Sequence, residues 1–312
     1  MDRTSRLYRF LKRCETPPRG SRTWLLLGMA YDILLILLGR ILCRSRRGEF
    51  ILVPPFSMGD VLLLYRSFPE LKAANGLSDP TILAAGNLLP VIRSLGMGKA
   101  EALPQWKIIA MCKAVLFAPD RFGNIVLSQA WHFMDVRELR PDAELGSLPL
   151  RLREQTREFL FPDPAMEGKC MILSPYEQTF LSIGEPQLPR EFWEELAAAL
   201  QSRGYTVFTN CDGKKELPIR GTRVFFPPLG ELSGAVEYAG SCIAVRSGFC
   251  DWASSAPTAK QAVLYPSRSF RTRFSMAAVW GREDVTELVY DLEDLTGLRA
   301  DLLGLFVGGG AS

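Results

Sequence analysis

A chain of 312 residues, 47% apolar and 23% charged, is long enough for two domains with cores of their own and is not composed like a disordered protein. Its formal charge of +3 hides an uneven spread, because the first fifty residues carry eleven Lys and Arg against four Asp and Glu, while the remainder carries 26 against 30. A single histidine, His132, excludes His₂ and His₃ metal sites, and seven cysteines with no Cys-x-x-Cys pair and no even framework fit a reducing, cytoplasmic setting better than a disulfide scaffold.

The basic head flanks Trp24 to Cys43, twenty mostly apolar residues followed by Arg44-Ser45-Arg46-Arg47. Twenty residues suffice to cross a bilayer as a helix, but Asp32 falls near the centre and Arg40 near one end. No small-residue cleavage site follows, which argues against secretory cleavage, and basic residues on both sides give no orientation for a span. Three readings stay open: a helix lying on an anionic membrane surface, a helix packed on the first domain, and a true span. The first makes residues 1–47 the membrane contact of a protein peripheral to the inner face of the cytoplasmic membrane.

Phe50-Ile51-Leu52-Val53 reads as a short buried strand. The turn Pro54-Pro55-Phe56-Ser57-Met58-Gly59 follows, and then Val61, Leu64, Tyr65, Phe68 and Leu71 stand at helical spacing. Asp60 opens that helix. Asp is a preferred N-cap residue, so a structural role stands beside a functional one, in which the acid faces a ligand beyond the carboxyl end of the strand. Thr81–Ala85 is a second strand, Leu88–Leu95 a short helix, and Asn124–Ser128 a further strand with Gln129 and His132 just past its end. His132 is read as structural or solvent-facing. Leu148–Phe161 has helical periodicity and runs into Pro162-Asp163-Pro164, where the domain boundary is placed.

Beyond it the spacing predicts a strand at Met171–Ser174, a helix over Pro189–Arg203, and a strand at Tyr205–Thr209. A polar turn at Asn210–Lys215 and an apolar run Val224–Phe226 follow, then a helix over Glu231–Tyr238 and strands at Cys242–Val245 and Gln261–Tyr265. Strands alternating with helices argue an α/β chain with parallel sheets. The organisation expected is a basic and apolar extension over 1–49, a first domain over 50–161 and a second over 162–312. No Gly-x-Gly-x-x-Gly follows a strand and no P-loop Gly-Lys-Ser/Thr is present, which speaks against a bound dinucleotide. Nucleic-acid binding would rest on the basic head alone and is not expected.

Ser57-Met58-Gly59-Asp60-Val61 resembles the first loop of the ADP-heptose lipopolysaccharide heptosyltransferases, GT-B enzymes of glycosyltransferase family 9 type. Ser241–Asp251 resembles their strand and Asp-[Ser/Thr]-Gly-x-x-His turn, Cys170–Pro175 the first strand of their second domain, and Pro189–Leu196 their Pro-x-x-x-Trp helix. The resemblance runs from about residue 50 to about residue 270. It implies two Rossmann-like parallel-sheet domains facing a central cleft. The implied reaction is inverting and metal-independent: a sugar passes from a nucleotide-sugar donor, which is a substrate and not a cofactor, to a glycolipid or polysaccharide acceptor. Asp60 takes the role of general base. Arg246, Ser247, Gly248, Phe249 and Arg268 take the donor diphosphate, and Ser57, Met58, Gly59, Gln129, Tyr176, Gln178 and Leu229 line the cleft.

The chain departs from that pattern at Arg246 in place of Asp, at Asp251 in place of His, and at Pro186-Gln187 where the family has a phosphate-binding Lys. Arg246 either replaces the missing cation or pairs with Asp251. Donor identity therefore does not carry over, and a catalytically inactive GT-B domain that binds a polysaccharide or a partner enzyme is the alternative.

Overall fold

The structure, a computed structural model, describes residues 22–54, 58–118, 121–128, 148–176 and 186–307. The chain divides into two compact units, Met1–Glu144 and Leu145–Ser312.

In the first unit, α1 (Arg22–Arg44) precedes β1 (Phe50–Leu52), α2 (Met58–Ala74), β2 (Thr81–Ala85), α3 (Leu89–Ser94), β3 (Ala100–Leu103), α4 (Gln105–Phe117) and β4 (Ile125–Leu127). The strands form one parallel sheet in the order β3-β2-β1-β4. The chain runs outward from β1 to β3 and returns to β4 beside β1, so this sheet reverses direction between β1 and β4, with Leu52 opposite Leu127. Ile108, Met111, Cys112 and Val115 of α4 share a core with Phe50, Leu52, Leu83 and Ile125.

At 100° per residue, Ala110, Lys113, Ala114 and Phe117 fall on the other side of α4, and α1 lies along that side. Lys113 Nζ donates to Asp32 Oδ1 at 2.7 Å, and the Arg40 guanidinium stands 5.4 Å from the centre of the Phe117 ring. Beyond the helix, Arg46 donates to both carboxylate oxygens of Glu101 at 2.6 and 2.8 Å. The apolar segment of the head is thus a helix packed on the first unit. It buries Gly28, Leu35, Gly39 and Cys43 and leaves most of its large apolar side chains outside.

The second unit begins ahead of the proline-rich break expected to divide the domains. Its first helix, α5 (Glu154–Leu160), is shorter than the Leu148–Phe161 periodicity, because Arg153 is extended (φ −69°, ψ 146°) and caps it. Then follow β5 (Cys170–Ser174), α6 (Arg190–Gln201), β6 (Thr206–Asn210), β7 (Arg223–Phe225), α7 (Leu232–Ala239), β8 (Gly240–Val245), α8 (Gly248–Ala253) and β9 (Lys260–Tyr265). α9 (Arg268–Phe274), α10 (Met276–Trp280), β10 (Thr286–Val289) and α11 (Leu295–Val307) complete it. All six strands are parallel, in the order β10-β9-β8-β5-β6-β7, and the sheet reverses direction between β5 and β8. Phe192, Trp193, Leu196 and Leu200 of α6 share the core with Leu298 and Leu302 of α11.

The segment around α5 belongs here for packing reasons. Phe161 is fully buried, with its ring centroid 5.5 Å from that of Phe208 and 4.9 Å from that of Tyr238. Residues Leu150 and Arg151 run so close to Gly234 of α7 that a Cβ there would lie 2.5 Å from the Arg151 carbonyl oxygen. Glu231, itself buried, accepts the Arg153 backbone N–H at 3.1 Å and pairs with the Arg153 guanidinium.

Burial alone would raise the Glu231 pKa; the bonds from Thr156 and Arg153 outweigh it and hold the carboxyl below its ordinary value. A lowered folded-state pKa contributes stability that is present above the unfolded value and is lost as pH falls through the folded one. Glu231→Gln is therefore expected to cost about 1.5–3 kcal/mol at neutral pH, the range for hydrogen bonds to a charged group. It should also flatten the acid limb of the stability profile below about pH 4.5, as seen by denaturant titration across pH.

Candidate functional site

In parallel sheets with helices on both faces, ligands bind beyond the carboxyl ends of the strands where the strand order reverses. In each unit one candidate turn follows a strand at such a reversal. In the first unit, the loop leading to Asp60 leaves β1 and the segment holding Gln129 leaves β4, and these two strands are paired. Met58, Gly59 and Asp60 form the first turn of α2, so Asp60 is the third helical residue and not the N-cap. Ser57, Gln129 and His132 lie outside the described residues, as does Gln178 in the second unit.

In the second unit the reversal lies between β5 and β8, with Ser174 opposite Ala244. Beyond β8 the chain turns through Arg246 and Ser247 into α8. Ser247 is extended (φ −156°, ψ 178°) and occupies the N-cap without making a side-chain cap bond. Its buried hydroxyl lies beside the Cys250 thiol and has no hydrogen-bond partner of good geometry. The amides of Gly248 and Phe249 follow as the first of α8, where no intrahelical acceptor exists. The Phe249 side chain is buried in the unit, so only its backbone is available to a ligand.

Arg246 does not serve this turn as expected. The residue is only 9% exposed, and its Nη2 stands 2.7 Å from Asp251 Oδ1. Its Nε donates to the Phe274 carbonyl at 3.0 Å and its Nη1 to the Ser247 carbonyl at 2.8 Å. Asp251 Oδ1 also accepts the Trp280 indole N–H at 2.7 Å. Burial works to lower the Arg246 pKa, but the Asp251 carboxylate and its other neighbours more than offset it, and the guanidinium stays charged. The two departures from the Asp-Ser-Gly-x-x-His pattern are therefore one change. Arg246 and Asp251 exchange an acid and a base for a base and an acid, and the pair ties the β8 turn to α8 and α10 from within.

Arg268 begins α9 past the end of β9 and is exposed. It lines a cavity of about 520 Å³ together with Tyr290, Asp291 and Glu293, and no residue of the Ser247 turn takes part in that lining. Tyr176 lies past the end of β5; its hydroxyl donates to the Leu217 carbonyl, and Arg190 reaches it at 3.5 Å. Arg190 also donates to Glu194 and to the Pro218 carbonyl, whereas Arg268 shares its cavity with Pro186, at the position of the missing Lys. Leu229 starts a short 3₁₀ turn after β7 and is half-buried.

One source of positive charge at this edge was not singled out from sequence. In the loop after β6, Asp212 Oδ1 accepts the backbone N–H groups of Lys214, Lys215 and Glu216 at 2.8–3.1 Å, and both lysine side chains are exposed. Asn210, at the end of β6, donates to Ser174 Oγ on neighbouring β5 at 3.0 Å. The Asp-Gly-Lys-Lys run was the available signal, since Asp before Gly forms such a turn readily.

No protein-family model matches the chain, and no curated protein matches its sequence. Solved structures resemble it in fold. It is similar to a glycosyl transferase family 9 structure from Veillonella parvula, at 15% identity and a TM-score of 0.53 over 83% of this chain and 92% of that one. It is also similar to ADP-heptose LPS heptosyltransferase II of E. coli (13% identity, TM-score 0.52) and to E. coli heptosyltransferase WaaC with ADP (14%, 0.51), each over 84% of this chain and 100% of the other. The chain thus has the α/β, two-sheet fold of GT-B glycosyltransferases.

Proposed function

We propose that the chain is a nucleotide-sugar-dependent glycosyltransferase acting on a glycolipid or polysaccharide acceptor at the cytoplasmic face of the membrane. The observation that supports this reading is the GT-B fold together with the position of two turns in it. The Asp60 turn and the Ser247-Gly248 turn each follow a strand at the reversal point of its own sheet.

In this reading the nucleoside diphosphate of the donor sits against the second unit. The Ser247 hydroxyl and the Gly248 and Phe249 amides donate to its phosphate oxygens. Lys214 and Lys215 supply the positive charge that Arg246 does not. Asp60 takes the proton of an acceptor hydroxyl as that oxygen attacks the anomeric carbon. The bond from carbon to diphosphate oxygen breaks as the new glycosidic bond forms, and the diphosphate leaves with its electron pair. One displacement inverts the anomeric centre and needs one base.

Two assays test it. Nucleoside diphosphates and nucleotide sugars are added to the protein, and a true donor at about a hundred times its dissociation constant adds about 2.7 kcal/mol of stability. Ser247→Ala is expected to weaken that stabilisation. Asp60→Ala is expected to retain it while transfer falls about 10²–10⁴-fold, the usual contribution of a general base. Loss of nucleotide binding and transfer together in Asp60→Ala would give Asp60 a structural role instead.

The inactive GT-B domain remains the second reading, because the internal Arg246–Asp251 pair leaves the β8 turn without the cation expected there. It predicts no thermal response to any nucleotide and an unchanged affinity for polysaccharide in Asp60→Ala.

A further inference from the structure

The helix α1 has two faces that differ in kind. The face on α4 is narrow and carries the small or polar residues Gly28, Asp32, Gly39 and Cys43 beside Leu35 and the half-buried Leu42. The other face is wide and apolar, with half-buried Tyr31 and Arg40 at its margins. Every exposed position between Leu26 and Ile41 is apolar, with Leu26 at 65%, Ile33 at 57% and Ile41 at 66% exposure. Phe117 of α4 extends this surface beside Arg40 and is 67% exposed. From Leu26 to Ile41 the stripe is about 24 Å long at 1.5 Å per residue.

We infer that this face docks in the plane of an anionic bilayer while α1 stays packed on α4, so that α1 and the Phe117 end of α4 enter the lipid together. The inference deepens the membrane-face reading above and is independent of sugar transfer. Three observations single out lipid as the occupant. A protein partner would find only the half-buried Tyr31 and Arg40 at the margins of the stripe to hydrogen-bond, whereas protein interfaces carry about one hydrogen bond per 100–200 Å². Lipid tails ask for none, and the helix satisfies its own backbone. Charge is complementary to an anionic surface: Arg44, the last residue of α1, and Arg47 beyond it are exposed, and Arg13, Arg19 and Arg22 precede the stripe in sequence. Asp32, the one acid within the helix, points away from the stripe and is paired with Lys113.

The same contacts decide between lying on the bilayer and crossing it. A crossing helix would have to leave α4, giving up the Gly39 contact and the Asp32–Lys113 pair and carrying Asp32 into hydrocarbon. An in-plane helix keeps all of them and needs only the exposed face to be buried about 5–10 Å into the headgroup and acyl boundary.

The test uses the full chain, purified in mild detergent and reconstituted with phosphatidylethanolamine vesicles with and without phosphatidylglycerol. The protein is expected to float with the phosphatidylglycerol vesicles. The Leu34→Glu/Leu37→Glu variant, altered at two exposed positions, is expected to bind about tenfold less or weaker, with the melting of the body unchanged. Fluorophores on Ile33→Cys and Ile41→Cys then report depth by quenching from lipids brominated at known positions, and both are expected at the same shallow depth. A deep probe at 33 and a shallow one at 41 would establish a span and overturn the inference. Failure to bind any vesicle, with concentration-dependent dimers abolished by the double Glu variant, would give the face to a second copy of the chain. Either result leaves the nucleotide response of the second unit to decide the enzymatic reading separately.

Discussion

Arg246→Ala is expected to cost the second unit about 3–5 kcal/mol, the range for removing one partner of a buried ion pair. The mechanism is specific. Truncation leaves the Asp251 carboxylate buried with the Trp280 indole as its remaining side-chain donor, and takes one of two donors from the Phe274 and Ser247 carbonyls, which keep the Tyr265 hydroxyl and the Cys250 N–H. Arg246→Lys should lose part of this, because an ammonium cannot reach three acceptors in a planar fork. Arg246→Met combined with Asp251→Leu should be more stable than either single change, since apolar replacement of both members of a buried pair is often neutral or stabilising. Denaturant midpoints of the four proteins measure the cycle. A phosphate-binding Arg246 would behave in the opposite way: near-neutral stability on truncation, and a loss confined to nucleotide affinity. That outcome would restore the arginine to the donor site and remove the internal-strut interpretation.

Most strands and helices of the second unit up to Tyr265 were legible because the strands are short continuous apolar runs, buried on both faces, and α6 is strongly amphipathic, with Gly or Pro between them. The stretch beyond Tyr265 was not. Thr286–Val289 is a half-exposed edge strand with Glu287 at its centre, and α9 and α10 are too short for an apolar stripe to establish itself. In the first unit, α4 was missed for the opposite reason. It is apolar nearly all round, since the sheet covers one side and α1 the other, so it shows no amphipathic period.

Within the candidate site, the turns at Asp60 and Ser247 were readable from strand, Gly and helix start. The role of Arg246 was not, because a cation at a strand end looks the same in sequence whether it faces a ligand or its own helix. What distinguishes the cases is Asp251, on the next turn, and the Trp280 indole far along the chain. The three readings of the head stayed open for a related reason. Both faces of α1 are poor in charge, and the small residues Gly28 and Gly39 were the one sign that a neighbouring helix comes close.

Gly39 gives that sign a test whose direction separates the readings. A Cβ at this position would lie 1.9 Å from the Ala110 carbonyl oxygen and 2.9 Å from the Ala114 Cβ. The first of these atoms is backbone and cannot rotate away, so Gly39→Ala forces α1 off α4. The expected cost is about 1–3 kcal/mol, as for an overpacked core, and Gly39→Leu should exceed it. Loss of the Asp32–Lys113 pair and greater protease sensitivity between Arg44 and Phe50 should accompany the change. If α1 instead stood clear of the first unit, as a span requires, nothing would oppose the added methyl. Replacing Gly by Ala inside a free helix is favourable by about 0.8–1.0 kcal/mol. One substitution thus yields a loss for the docked helix and a gain or no change for the free one, and chemical denaturation of the two proteins reads the sign directly. In the proposed membrane-docked state the same glycine decides how the first unit is held. A helix that can be removed from α4 at no cost is an anchor on a tether, whereas one held there by a backbone contact sets the orientation of the first unit on the lipid surface.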